Sequence, residues 1–188
     1  MSQQTDDFAD AGFQLTAALL AATNDPADAV RLLLPLTAWQ PEQAAGAGPL
    51  AAQARATTDA LAGTLRTAAC SALALASQAY QPVSYEDARA LRAMACAAID
   101  AEATRAADAG RLATWQGLRE LLAAVALDLA VRGANLASLT DVTTRAPMPS
   151  LAEAWTLYHD TSREPSLVAA ADVPHPLFLP TNFTALTR

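Results

Sequence analysis

The sequence contains no lysine. All 12 basic residues are arginine, set against 19 acidic ones, and the net charge is −7. Proteins that hold nucleic acid draw most of their affinity from cationic side chains on phosphates. No basic tract exists here to do that, so direct nucleic-acid binding is not expected. Cysteine is almost as scarce. Cys70 and Cys96 are the only two, neither belongs to a CxxC pair, and both lie in alanine-rich, helical stretches. They read as small core residues in a reducing compartment rather than as a disulfide or a metal ligand pair. Two histidines, His159 and His175, are too few for a metal centre, and no carboxylate cluster has ligand spacing. No glycine-rich loop suggests a cofactor. No run of 18 apolar residues is free of charge, so no membrane span is expected. The start, MSQQTDDFAD, is acidic and polar, the reverse of a secretory leader.

What the chain has in abundance is alanine, 49 residues of 188. Alanine is the best helix former and adds little apolar area. The composition therefore predicts helices packed closely together with few large side chains between them. A chain of this length buries about 70% of its unfolded surface and needs no staple to fold. Aromatics make up only 5%, so each is expected to have a defined place.

Helical periodicity and punctuation divide the chain. A first helix is expected after Thr5, with Asp6 and Asp7 at its positive end and Phe8, Leu15, Leu19 and Ala22 at helical spacing. Asp25-Pro26 reads as an N-cap followed by a first-turn proline. Pro35 should end or kink the second helix. Gln40 to Pro49 is a loop. Leu50 to about Ala79 is the longest helix, roughly 45 Å at 1.5 Å per residue, with Gly63 its one weak point. Ser84 and Asp87 resemble a capping box before a helix carrying Leu91, Met94, Ala95, Ala98 and Ile99. A turn at Asp108-Ala109-Gly110 precedes a helix with Leu118, Leu121, Leu122, Val125 and Leu129 on one face, ending near Gly133. Residues 136–149 hold β-branched residues and prolines and read as an extended crossing segment. Ser150 is expected to cap a short helix carrying Leu151, Ala154, Trp155 and Tyr158. Another short helix follows at about 165–170, and the residues from Val173 onward are expected to be extended. The fold expectation is one all-α domain over 1–188: a bundle of four to five main helices (about 6–133), a crossing segment with short helices (134–172), and an extended, proline-rich C-terminal tail (173–188).

No catalytic constellation is visible, and the reading is that of a non-enzyme. His159, Asp160 and Ser162 are too close in sequence to reach triad geometry easily. The carboxylate pairs Glu86-Asp87 and Asp100/Glu102 read as solvated helix faces. Arg55 and Arg66 share a helix face, with Asp59 between them. The residues singled out as interface candidates are Trp155, Tyr158, His175, Pro176, Phe178, Pro180 and Phe183.

One resemblance stands beside this reading. "YEDARALRAMACAAIDAEA" is followed by "WQGLRELLAAVALDLAVRGANLASLTDVTTRAPMPSLAEAWTLYHD" and then by "HPLFLP". In order and spacing this resembles the C-terminal region of the DNA circularization proteins of Mu-like phages, a family of tail and baseplate components. The matching positions are Tyr85, Leu91, Asp100, Glu102, Leu118, Arg119, Asp128, Leu129 and Arg132, then Pro149, Leu151, Ala152, Leu157, Tyr158, Asp160, His175, Pro176, Phe178 and Pro180. His159 and Leu177 stand where the family pattern has glycine. The resemblance covers 85 to the C-terminus; upstream only alanine-rich helical character is shared. Members of the family usually carry a separate N-terminal domain, which this sequence is expected to lack. The resemblance implies a multi-copy structural part of a contractile phage tail or tail-like particle, at the baseplate hub or tube junction, assembled in the host bacterial cytoplasm. Its partners would be tube and hub proteins and further copies of itself. The family name also implies an alternative, a DNA-handling role in circularizing incoming phage DNA.

Overall fold

The structure, a computed structural model, describes residues 2–43, 45–173, 175 and 177–187. The chain is mainly α-helical. Five long helices come first: α1 (Ser2–Ala22), α2 (Pro26–Thr37), α3 (Pro49–Ala79), α4 (Tyr85–Asp108) and α5 (Leu112–Gly133). Strand β1 (Leu139–Thr143), short helices α6 (Ser150–Tyr158) and α7 (Glu164–Ala171), and strand β2 (Asn182–Leu186) follow. The chain forms two compact units, Met1–Gln81 with Ala90–Val131, and Pro82–Arg89 with Arg132–Arg188. The second unit thus takes the start of α4 as well as everything from Arg132 onward.

In the first unit, local chemistry sets the helix ends. Asp25 caps α2 by accepting the Ala27 N–H at 2.8 Å, and Pro26 opens the helix. Pro35 does not stop α2, which continues to Thr37. A proline removes only its own N–H, and residues after it can still bond backwards, so the last turn survives. Helix α1 begins at Ser2, earlier than Asp6 and Asp7 suggested. Helix α3 is covered on several sides between Ala68 and Ser77, with Ala69, Cys70, Leu73 and Ala76 fully buried. Helices α1 and α2 lie along it. Leu33 of α2, Leu73 of α3, Ile99 of α4 and Leu129 of α5 are the large fully buried side chains of this core; alanine fills much of the rest. By length and composition α3 is apolar enough to cross a membrane, but 61% of that stretch is buried inside the protein. On α4, Met94 is 45% exposed, because the buried stripe runs through Leu91, Ala95 and Ile99 instead.

In the second unit, the start of α4 is capped as the sequence suggests. Ser84 Oγ accepts the Asp87 N–H at 3.1 Å, and the Asp87 carboxylate accepts the Val83 N–H at 3.0 Å. Glu86 accepts the Leu139 N–H at 2.8 Å. Both acids therefore hold backbone in place, which corrects their reading as a solvated pair. Gly133 ends α5 where a Cβ would lie 2.9 Å from the Cβ of Ala88, so a larger residue there would collide.

The all-α expectation is corrected here by a small antiparallel sheet. β1 and β2 pair with Val142 opposite Phe183, and an isolated bridge joins Met148 to Leu179. The last residues are thus a strand bonded within their own unit. Ala154, Leu167, Leu179, Phe183 and Ala185 form the core, with Val142, Leu157 and Tyr158 packed on it. Ser150, expected as an N-cap, is the first helical residue of α6, and its hydroxyl donates to Glu164 at 2.6 Å; Pro149 holds the cap position.

His159 ends α6 in the left-handed conformation, φ 56°, ψ 26°. A residue with a Cβ pays roughly 1–2 kcal/mol there, and glycine does not. Its ring makes an edge contact with Trp155, centroids 5.9 Å apart, which offsets part of that cost. His159→Gly is therefore expected to be more stable than His159→Ala by about 1 kcal/mol, since alanine keeps the strain and loses the ring. Urea unfolding of the two variants side by side gives the ordering; an alanine variant equal to the glycine one would refute the strain.

Candidate functional site

The most unusual chemistry in the molecule is a completely buried carboxylate. Glu102 lies on the same stripe of α4 as Ile99 and Ala106, three residues after one and four before the other, and is 0% exposed. An unpaired ion at such depth would be strongly disfavoured. Three guanidiniums compensate it. Arg66 of α3 donates Nε to Oε2 at 2.5 Å, Arg105 of α4 donates Nη1 to the same oxygen at 3.2 Å, and Arg111 donates Nη2 to Oε1 at 3.2 Å. Arg66 also donates Nη1 to the Trp39 carbonyl at 3.1 Å, tying the segment after α2 to the cluster. The expectation that Asp100 and Glu102 form a solvated pair is corrected. Only Asp100 is exposed, and it bonds Arg119 of α5 at 2.8 Å.

Gly63, the apparent weak point of α3, has a reason to be glycine. The guanidinium of Arg111 lies so close to its Cα that a Cβ would fall 2.5 Å from Nη1. Arg66, Arg105 and Arg111 open on one side into a cavity of about 770 Å³, whose wall also holds Gln40, Gln43 and Asp59. Gln43 is bonded to Asp59 at 2.7 Å. The carboxylate of the arrangement is bonded by all three cations. The arrangement can recognise charge. One signal in the sequence could have found it: Glu102 stands in register with Leu91, Ala95 and Ile99.

Cys70 sits beside this cluster, fully buried, and burial with the Glu102 charge pushes its thiol up to about 12. Cys96 is half-buried and burial raises it too. Both thiols should stay protonated and unreactive toward Ellman's reagent at pH 8 until the protein unfolds, with Cys96 first to react. Above the ordinary thiol value of 9.0 the unfolded chain releases the Cys70 proton while the folded chain keeps it until about 12. Stability should accordingly fall as pH rises through that window. Rapid native labelling of Cys70 would contradict its placement.

The interface candidates separate into two groups. Trp155, His175, Phe178 and Pro180 are exposed. Phe183 is not available to a partner: it is 7% exposed in the core of its own unit, because the strand pairing turns it inward. Tyr158 is half-buried and engaged within the chain, its hydroxyl donating to the Leu186 carbonyl at 2.9 Å and its ring lying 4.0 Å from the Arg163 guanidinium carbon. Pro176 lies outside the described residues. His159, Asp160 and Ser162 form no triad. Asp160 accepts the Ser162 N–H at 2.9 Å, and hydrogen bonds from Ser162 hold its carboxyl below the ordinary value; it caps the 3-10 turn at Thr161–Arg163. Among the described residues no three of His, Cys, Asp and Glu come together as a metal-binding group. No protein-family model matches the chain, and a comparison with curated proteins finds no match.

Proposed function

We propose that this protein is a structural component of a contractile phage tail or tail-like particle, placed at the baseplate hub or tube junction and acting through oligomeric assembly. In this reading the long helices form a bundle in the body of the particle, and the proline-rich segment before β2 is the arm that meets a neighbour. The observation that carries the reading is the ordered resemblance from Tyr85 to Pro180, together with what the matched residues do. Leu91, Glu102, Leu118 and Leu129 are buried, and Asp100 and Arg119 form an ion pair across α4 and α5. These are positions on which a shared fold would depend. His159 adds support: it holds a left-handed conformation where the family pattern has glycine.

Assembly also has surface to use. In the second unit Leu151, Trp155, Leu177 and Phe178 are each more than half exposed. The Met148–Leu179 bridge brings 177–178 back beside the start of α6, which carries Leu151 and Trp155. On the first unit, two apolar grooves of about 270 and 460 Å³ flank Ser71 and Leu75 of α3. Exposed apolar side chains gathered in this way mark interaction sites, and symmetric oligomers are a usual outcome. The alternative, DNA handling, gains little: Arg66, Arg105, Arg111 and Arg119 each bond a carboxylate, and Asp59 and Asp108 line the cavity beside the first three.

Light scattering of the purified protein, alone and mixed with tail proteins from its own source, tests the proposal. A ring, or co-elution with a tube or hub protein that Trp155→Ser with Phe178→Ser abolishes, supports it. A monomer that ignores every tail protein overturns it, and retardation of DNA at low salt would favour the alternative.

A further inference from the structure

We propose that the cavity beside Glu102 binds an oxyanion, a carboxylate or phosphate group carried on a small body, and that Arg105 and Arg111 hold it. The argument begins with charge. Three guanidiniums share a single carboxylate, so this hydrogen-bonded cluster by itself is net positive, and the cavity's other charges, Asp59 and Asp108, are not bonded to it. Arg66 is used up inside the protein, its side chain 9% exposed and bonded to both Glu102 and the Trp39 carbonyl. Arg105 and Arg111 differ. Their side chains are 35% and 29% exposed, and among the described residues each gives one hydrogen bond, to Glu102. Every guanidinium carries five N–H donors in a planar fork suited to carboxylate and phosphate oxygens. The unspent donors of both arginines belong to side chains that line the 770 Å³ cavity.

The site is built before any ligand arrives. Glu102 fixes one edge of each guanidinium, and the Gly63 backbone supports Arg111 from behind. Donors held this way lose little freedom on binding, which is where affinity is usually lost. Gln40 and Gln43 can contribute to binding neutral parts of a ligand, and Pro41, Ala56 and Ala60 offer a small apolar wall. Asp59 and Asp108 also line the cavity and set its selectivity. Neither forms an ion pair with the arginines among the described residues. They repel a polyanion such as nucleic acid while leaving room for one anionic end.

Isothermal titration of the full chain tests this, with inorganic phosphate and with an end-blocked peptide bearing a single glutamate, at constant ionic strength in chloride. Saturable binding of either probe is expected. Arg105→Gln should weaken it about tenfold or more, as expected for loss of hydrogen bonds to a charged group. Gly63→Ala should weaken it by displacing Arg111. Arg119→Gln, on the Asp100 pair, should leave it unchanged. Asp108→Asn, an exposed change that does not risk the fold, should tighten it. Phosphate binding alone identifies a small-anion site; tighter peptide binding identifies an acidic partner segment. No saturable heat with either probe overturns the proposal, as does binding that none of Arg105→Gln, Gly63→Ala and Asp108→Asn alters.

Discussion

Replacing Glu102 with glutamine is expected to destabilise the first unit by about 3–5 kcal/mol, the usual cost of stripping one partner from a buried ion pair. The side chain keeps its shape, so no cavity opens; what disappears is the negative charge that all three guanidiniums bond. Arg105 and Arg111, each about a third exposed, can swing partly into water. Arg66 is far less free to do so, its side chain only 9% exposed and also bonded to the Trp39 carbonyl. An ordered set of losses follows. Arg105→Gln leaves Glu102 with two partners and should cost about 1 kcal/mol, a single hydrogen bond's worth. The double change Glu102→Leu with Arg66→Leu should be less harmful than Glu102→Gln alone, because a buried pair replaced by apolar groups loses its desolvation penalty along with its attraction. Trp39 and Trp115 both lie in this unit, and substituting the exposed Trp155 leaves fluorescence to report on it. Urea midpoints of the variants in that background give the ranking. A Glu102→Gln protein as stable as its parent would mean that the carboxylate is not the keystone of the cluster.

Most of the long-helix frame was legible because its signals are local. Asp25 and Pro26 state where α2 starts, Ser84 and Asp87 state where α4 starts, and Gly110, φ +70°, marks the turn between α4 and α5. What was not legible depends on partners far away in sequence. The helical register of Glu102 hints at burial, but the partner that makes burial possible, Arg66, lies 36 residues earlier. Gly63 looks like a weak point until Arg111 fills the space its missing Cβ leaves. The strands posed the same difficulty. Residues 139–143 read as extended, but the residues that pair with them, Asn182–Leu186, lie beyond two helices and several prolines. Without that pairing, Phe183 counts as one of two phenylalanines on a loose tail; with it, Phe183 and Phe178 have opposite environments.

That opposition makes the second large prediction. Phe183→Ala is expected to cost about 3–5 kcal/mol, the transfer term plus the cavity left behind. Phe183 joins Leu167, Leu179 and Ala154 in the core and pairs through its backbone with Val142. A unit below roughly 70–80 residues gains only about 3–5 kcal/mol from its core, so this one loss should open the second unit as a whole. Thr184 would lose its place on the Ala170 carbonyl and Tyr158 its bond to Leu186. Hydrogen exchange reads this directly. Amides of β1, β2 and α7 should exchange far faster in Phe183→Ala, while those in the middle of α3 keep their protection. Phe178→Ala removes the same ring from a side chain 60% exposed and should leave every exchange rate near that of the parent. It should matter only where Phe178 meets another protein. If Phe183→Ala exchanged like the parent and Phe178→Ala did not, the strand pairing would be wrong, and the residue meeting the partner would be Phe183.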